Sequence, residues 1–91
     1  MAEPARRVRV TGRVQGVFFR AWTREQAAEL GVNGWVRNAP DGSVEAHLEG
    51  DEAAIKALID RLHTGPSPAQ VDRVEVEGVQ PEGLGRFDIR H

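Results

Sequence analysis

Along this chain the period of the apolar residues switches from two to 3.6 and back, twice, and few folds accommodate that order of elements. Val8 and Val10 alternate with Arg7, Arg9 and Thr11, which predicts a half-buried strand that breaks at Gly12. A helix is predicted over residues 20–30, with Thr23, Ala27 and Leu30 on one face and Gly31 placed to end it. Residues 32–38 read as a short strand. The turn Ala39-Pro40-Asp41-Gly42 follows, where proline presets φ and glycine accepts a positive one. Val44, Ala46 and Leu48 alternate with Ser43, Glu45, His47 and Glu49 to complete a hairpin. Asp51 is the expected N-cap of a second helix, whose Ile55, Leu58, Ile59 and Leu62 form one apolar stripe. Gly65-Pro66 and Pro68 end that helix. Val74 and Val76, alternating with Arg73, Glu75 and Glu77, predict a fourth strand. Beyond a loop with Pro81, Gly83 and Gly85, Phe87 and Ile89 alternate with Arg86, Asp88 and Arg90 in a short last strand.

The order is βαββαβ plus a terminal strand. It fits an α+β, ferredoxin-like sandwich: a mostly antiparallel sheet, two helices on one face and a short C-terminal edge strand. Ninety-one residues support a single core, so residues 1–91 are expected to form one domain. Chain direction adds a constraint. If the first strand runs up, the first helix returns down and the second strand runs up again. The loop after strand one and the turn after strand two then emerge at the same end of the sheet, so residues 14–20 and Asn38 are free to share chemistry.

Several function classes fall away. No apolar run approaches the ~20 residues needed to span a bilayer, and the first ten residues carry three arginines with no apolar stretch behind them. A soluble, cytoplasmic, monomeric protein with no membrane partner is expected. The absence of cysteine removes disulfides, thiolate metal sites and cysteine nucleophiles together. His47, His63 and His91 are too far apart in sequence to suggest a metal cluster. A net charge of −2 argues against general nucleic-acid binding. A sheet that binds RNA would also need stacking aromatics where this chain places mainly Glu and Arg. The charge is nevertheless uneven, +4 over residues 1–40 and −6 over the rest. Such a positive half fits a local anion site, and equally fits strand and helix faces that are simply rich in arginine.

The segment Gly12-Arg13-Val14-Gln15-Gly16-Val17-Phe18-Phe19-Arg20 joins a strand to a helix. A glycine-containing turn at a helix entrance presents backbone N–H groups that have no intrahelical partner, and such a concavity suits a phosphate-like anion. Arg20 at its mouth adds a two-pronged grip on a tetrahedral oxyanion that a lysine does not match. The pattern matches neither the Walker loop nor Gly-x-Gly-x-x-Gly, so nucleotide binding is not favoured. On physical grounds alone an ordinary strand–helix loop with a solvent-facing arginine remains open, and so does a non-catalytic anion-binding module.

The same residues carry a resemblance to the acylphosphatases. Beside that first segment, Leu30-Gly31-Val32-Asn33-Gly34-Trp35-Val36-Arg37-Asn38 and Asp41-Gly42-Ser43-Val44-Glu45 are similar to the family. So are Gly50, residues 65–74 and the closing Phe87-Asp88-Ile89-Arg90. The resemblance implies the ferredoxin-like fold already reached from periodicity. It also implies an activity, hydrolysis of the carboxyl–phosphate bond of a small-molecule acyl phosphate to a carboxylate and inorganic phosphate, without metal or cofactor. Carried over residue by residue, it implies that Arg20 binds the phosphate with the backbone amides of Gln15, Gly16, Val17, Phe18 and Phe19, and that Asn38 positions the attacking water. Arg86 and His91 depart from residues common in the family; both are expected to affect only the edge strand and C-terminal packing. The end of the chain at residue 91, without zinc-finger cysteines, suggests a free-standing enzyme rather than a segment of a larger one.

The remaining candidates receive structural assignments. Thr23, Trp22 and Trp35 are expected in packing, and of Phe18 and Phe19 one is expected to anchor the loop and the other to shield the mouth. His47, Glu45, Glu49, Glu75 and Glu77 are expected on a solvated sheet face.

Overall fold

The computed structural model describes residues 3–91. The elements run β1 (Ala5–Arg13), α1 (Phe19–Leu30), β2 (Asn33–Asn38), β3 (Val44–Glu49), α2 (Glu52–Leu62), β4 (Gln70–Gly78) and β5 (Phe87–Arg90). They agree with the predicted order, and the five strands form one sheet in the order β4-β1-β3-β2-β5. β1 and β2 both pair antiparallel with β3, so they run parallel to each other. β5 adds to β2 in parallel. The C-terminal ends of β1, β2 and β5 therefore meet at one end of the sheet.

Both helices lie on one face. Val8, Val10, Val36 and Leu48 of the strands are sealed against Phe19, Ala27, Ile55 and Leu58 of the helices, all at 2% exposure or less. Each of these side chains larger than alanine contributes about 1.5–3 kcal/mol of burial. The helix ends are determined locally. Asp51 caps α2 by accepting from the Ala54 N–H, as predicted. Gly31 ends α1 at φ 74°, leaving Val32 N–H to donate to the Ala27 carbonyl at 2.9 Å. Gly12 ends the regular part of β1. It lies at φ 124° in a bulge, and a Cβ there would approach the Gln70 carbonyl oxygen to 2.2 Å, so only glycine lets the chain swing out of the sheet at this point.

The face opposite the helices departs from expectation. Glu75 and Glu77 are exposed as predicted. His47, Glu49 and Glu45 are instead buried, at 0%, 3% and 8% exposure. β3 is the middle strand, and long side chains from its neighbours close over it. Trp35 stacks on the His47 ring with centroids 5.9 Å apart, and the guanidiniums of Arg7 and Arg90 lie 4.9 and 4.6 Å from the Trp35 ring. The loop before β5 completes the cover. The Glu49 carboxylate accepts the backbone N–H groups of Glu82, Gly83 and Leu84, the last two at 3.0 and 2.9 Å, and bonds His47 Nε2 at 2.6 Å.

That strap has a pH signature. Burial alone would raise the Glu49 carboxyl, but donation from the Glu82 N–H, the His47 ring and the Leu84 N–H outweighs it and holds the group below its ordinary 4.5. A carboxyl depressed in the folded state stabilises fully above the unfolded value and loses that contribution as pH falls through the folded one. Glu49→Gln is therefore expected to cost about 2 kcal/mol near neutrality, in the range for hydrogen bonds to a charged group. Thermal melts should show the Tm of parent and variant converging as pH drops below 4.5; parallel curves would contradict the assignment.

Candidate active site

The loop between β1 and α1 leaves the bulge at Gly12 and must turn into a helix within a few residues. Gly16 makes that turn at φ 74°, and Phe18, directly before the helix, also takes a left-handed backbone at φ 62°. A bulky residue in that region is strained, and it persists here with no side-chain cap on α1. The N–H groups of the first helical turn are thus left without a capping side chain. The loop is pinned at both ends. Val14 and Phe19 are buried at 1% and 2% exposure, and Phe19 packs edge-on against Trp22 at 5.6 Å. Phe19 is the anchoring ring, while Phe18 stands 82% exposed at the rim.

Gln15 fixes the loop to the second motif. Its Nε2 donates to the carbonyls of Ala39 and Ser43 at 2.9 and 2.8 Å. Its side chain is thereby committed to the hairpin turn, and only its main-chain N–H remains for a ligand. The turn itself is braced. Asp41 accepts from Ser43 N–H and Oγ at 3.0 and 2.6 Å, and Arg9 donates to Asp41 at 2.9 Å. The Ser43 hydroxyl and N–H, with Arg9 beyond them, hold the Asp41 carboxyl below its ordinary value. Asn38 sits immediately before this clamp.

These segments converge. A cavity of about 450 Å³ is lined by Gly16, Phe18, Phe19 and Arg20 from the loop and helix entrance, with Asn38 from β2. Val17 turns away, packing against the core and lining a neighbouring cavity with Trp22 and Pro66. Arg20 and Asn38, expected to share one end of the sheet, do share one cavity. Thr23, the expected packing residue, is fully buried and donates its hydroxyl to the Phe19 carbonyl at 2.8 Å.

The structure adds a contributor absent from the sequence reading. Because β5 runs parallel to β2, its C-terminal end brings Ile89 and His91 into the cavity wall. Arg20 Nη1 donates to His91 Nδ1 at 3.2 Å. His91, expected to affect only the edge strand and C-terminal packing, contacts Arg20 of the first motif. An arginine can only donate, so in this contact Nδ1 is the acceptor.

The Arg-rich N-terminal half resolves into two groups. Arg6, Arg7, Arg9 and Arg37 are in ion pairs with Glu52, Glu45, Asp41 or Glu82. Among the described residues, Arg13, Arg20 and Arg24 pair with no carboxylate, and the last two line the cavity.

A family model described as Acylphosphatase matches residues 6–89. The acylphosphatase of Anaeromyxobacter dehalogenans (strain 2CP-C) is 55% identical over 92 residues, covering 99% of each chain. The solved structure of an acylphosphatase from Coxiella burnetii aligns with a TM-score of 0.93 at 39% identity, over 98% of this chain and 94% of that one. Full-length HypF, solved in its phosphate- and nucleotide-bound form, aligns with a TM-score of 0.92 at 29% identity, over 98% of this chain and 12% of that one.

Proposed function

The chain belongs to the acylphosphatase family, and on that premise we propose that it hydrolyses acyl phosphates by in-line attack of a water held by Asn38 on a phosphoryl group gripped by Arg20 and the amides of residues 15–19. The observation that carries this reading is the joint lining of one cavity by Arg20, Asn38 and the loop.

The leaving group explains why so few residues suffice. An acyl phosphate expels a carboxylate, a weak base that departs with the P–O bonding pair and needs no proton. What remains is positioning and charge. A loose phosphoryl transition state spreads negative charge over its equatorial oxygens, where donors already in place stabilise it without reorganising. Arg20 and the unsatisfied amides at the α1 entrance supply such donors. The Asn38 carboxamide offers one acceptor and two donors, enough to orient a water, but its basicity is negligible. His91 does not replace it as a base, since its accepting nitrogen is occupied by Arg20. The proton of the attacking water therefore passes to a phosphoryl oxygen of the substrate, and the products are a carboxylate and inorganic phosphate. No step calls on a metal.

The test is direct. Benzoyl phosphate is incubated with the protein in the presence of EDTA and its absorbance followed. Steady turnover is expected. Phosphate binding without turnover would instead mark an anion-binding module on the same scaffold.

A further inference from the structure

The cavity gathers positive charge that no acid on its wall offsets. Its wall carries two guanidiniums, Arg20 and Arg24, and among the described residues no aspartate or glutamate. This is notable in a chain of net charge −2 with fourteen acidic residues. Arg20 and Arg24 lie four residues apart on α1, where side chains are neighbours and like charges repel. The helix does nothing to relieve them. Arg24 has Ala27 and Ala28 at the next-turn positions and Ala21 behind it, so its own face of α1 offers no carboxylate. Glu25 lines the adjoining trough, which Arg24 also borders, but it lies outside this cavity and forms no ion pair with Arg24. Elsewhere in this half of the molecule four arginines are matched to acids.

We propose that Arg24 is the subsite for a second anionic group, and that the preferred substrates are acyl phosphates of dicarboxylic acids, with the distal carboxylate on Arg24. The inference rests on the proposed placement of the phosphoryl group at Arg20. Four residues on α1 separate the two arginines, about 6 Å of rise between their backbone positions, a scale that a two- or three-carbon spacer between acyl carbon and carboxylate can span. Phe18, Ala21 and Ile89 give the intervening methylenes an apolar wall. A planar, forked guanidinium suits a carboxylate in two-pronged contact, and a lysine at 24 would retain the charge without the fork.

The probes are two acyl phosphonates, which cannot be hydrolysed: acetylphosphonate, and succinylphosphonate with its distal carboxylate. Calorimetric titration of the whole chain is expected to give succinylphosphonate an affinity about five- to tenfold higher. Arg24→Gln should bring that ratio to about one, and Arg24→Lys should leave it intermediate. Because the reading is a ratio, any general weakening of the cavity cancels. The preference should also shrink between low and high salt, as expected for a solvent-facing pair. A ratio near one in the parent, or one that survives Arg24→Gln, would overturn the inference. Hydrolysis of the matching acyl phosphates is measured separately. A chain that shows the ratio but no turnover refutes the enzymatic reading and keeps the subsite.

Discussion

Arg20→Ala is expected to lower kcat/KM for an acyl phosphate by at least about 10²–10³-fold. That is the size of effect, ~3–4 kcal/mol, seen when one preorganised donor to a developing oxyanion is removed. Here the donor is also charged, and its position is set by the first turn of α1 and by its contact with His91. Affinity for inorganic phosphate should fall as well, because the proposed grip on the phosphoryl oxygens operates in ground state and transition state alike. Arg20→Lys should recover only part of the loss, since an ammonium cannot reproduce the paired N–H geometry. Stability should barely move, as Arg20 is only partly buried and its side chain makes no ion pair with a carboxylate among the described residues. Steady-state kinetics with thermal melts on the same samples check both halves. A loss under tenfold, or one matched by a drop in Tm, would remove Arg20 from the chemistry.

Asn38→Ala is expected to separate turnover from binding. Activity should fall below about 1% of the parent, because a misplaced nucleophile alone can cost about 10²-fold. Affinity for inorganic phosphate should stay within a few-fold, since Arg20 and the loop amides are untouched. The variant should fold, because the turn after residue 38 is held by Gln15, Asp41, Ser43 and Arg9 rather than by the Asn38 side chain. Loss of phosphate affinity in step with activity would make Asn38 a ligand-binding residue instead.

How far the sequence reveals this molecule depends on the range of the interactions involved. The order of elements is legible because each strand and helix buries a local periodic face, and Gly31 and Asp51 end or begin helices through their own backbone and side chain. The meeting of the first loop with Asn38 is legible too, since it follows from chain direction alone. What escapes is set by pairings between distant segments. Glu45, His47 and Glu49 alternate like outward residues, and do point away from the helices. They are buried because β3 is central and because Trp35, Arg7 and the strap at residues 82–84 close over it. No local pattern announces a cover supplied from thirty residues away. His91 escapes for the same reason. Only the parallel pairing of β5 with β2 brings it to Arg20. Gln15 stands in the first motif, yet its side chain serves the hairpin turn, a contact 24 residues distant at Ala39.

These two long-range effects are connected. Glu49 holds residues 82–84, and those lead directly into the strand that carries Ile89 and His91 to the cavity. The buried face of the sheet thereby helps to shape the site at its end.

The most direct measurement is a crystal structure of the protein with inorganic phosphate. The oxygens should lie within hydrogen-bonding distance of the Arg20 guanidinium and of the main-chain N–H groups of residues 15–19, with the Asn38 carboxamide facing the phosphorus. Phosphate seated elsewhere, or held by Arg20 while Asn38 faces away from it, would contradict the shared oxyanion pocket on which the mechanism depends.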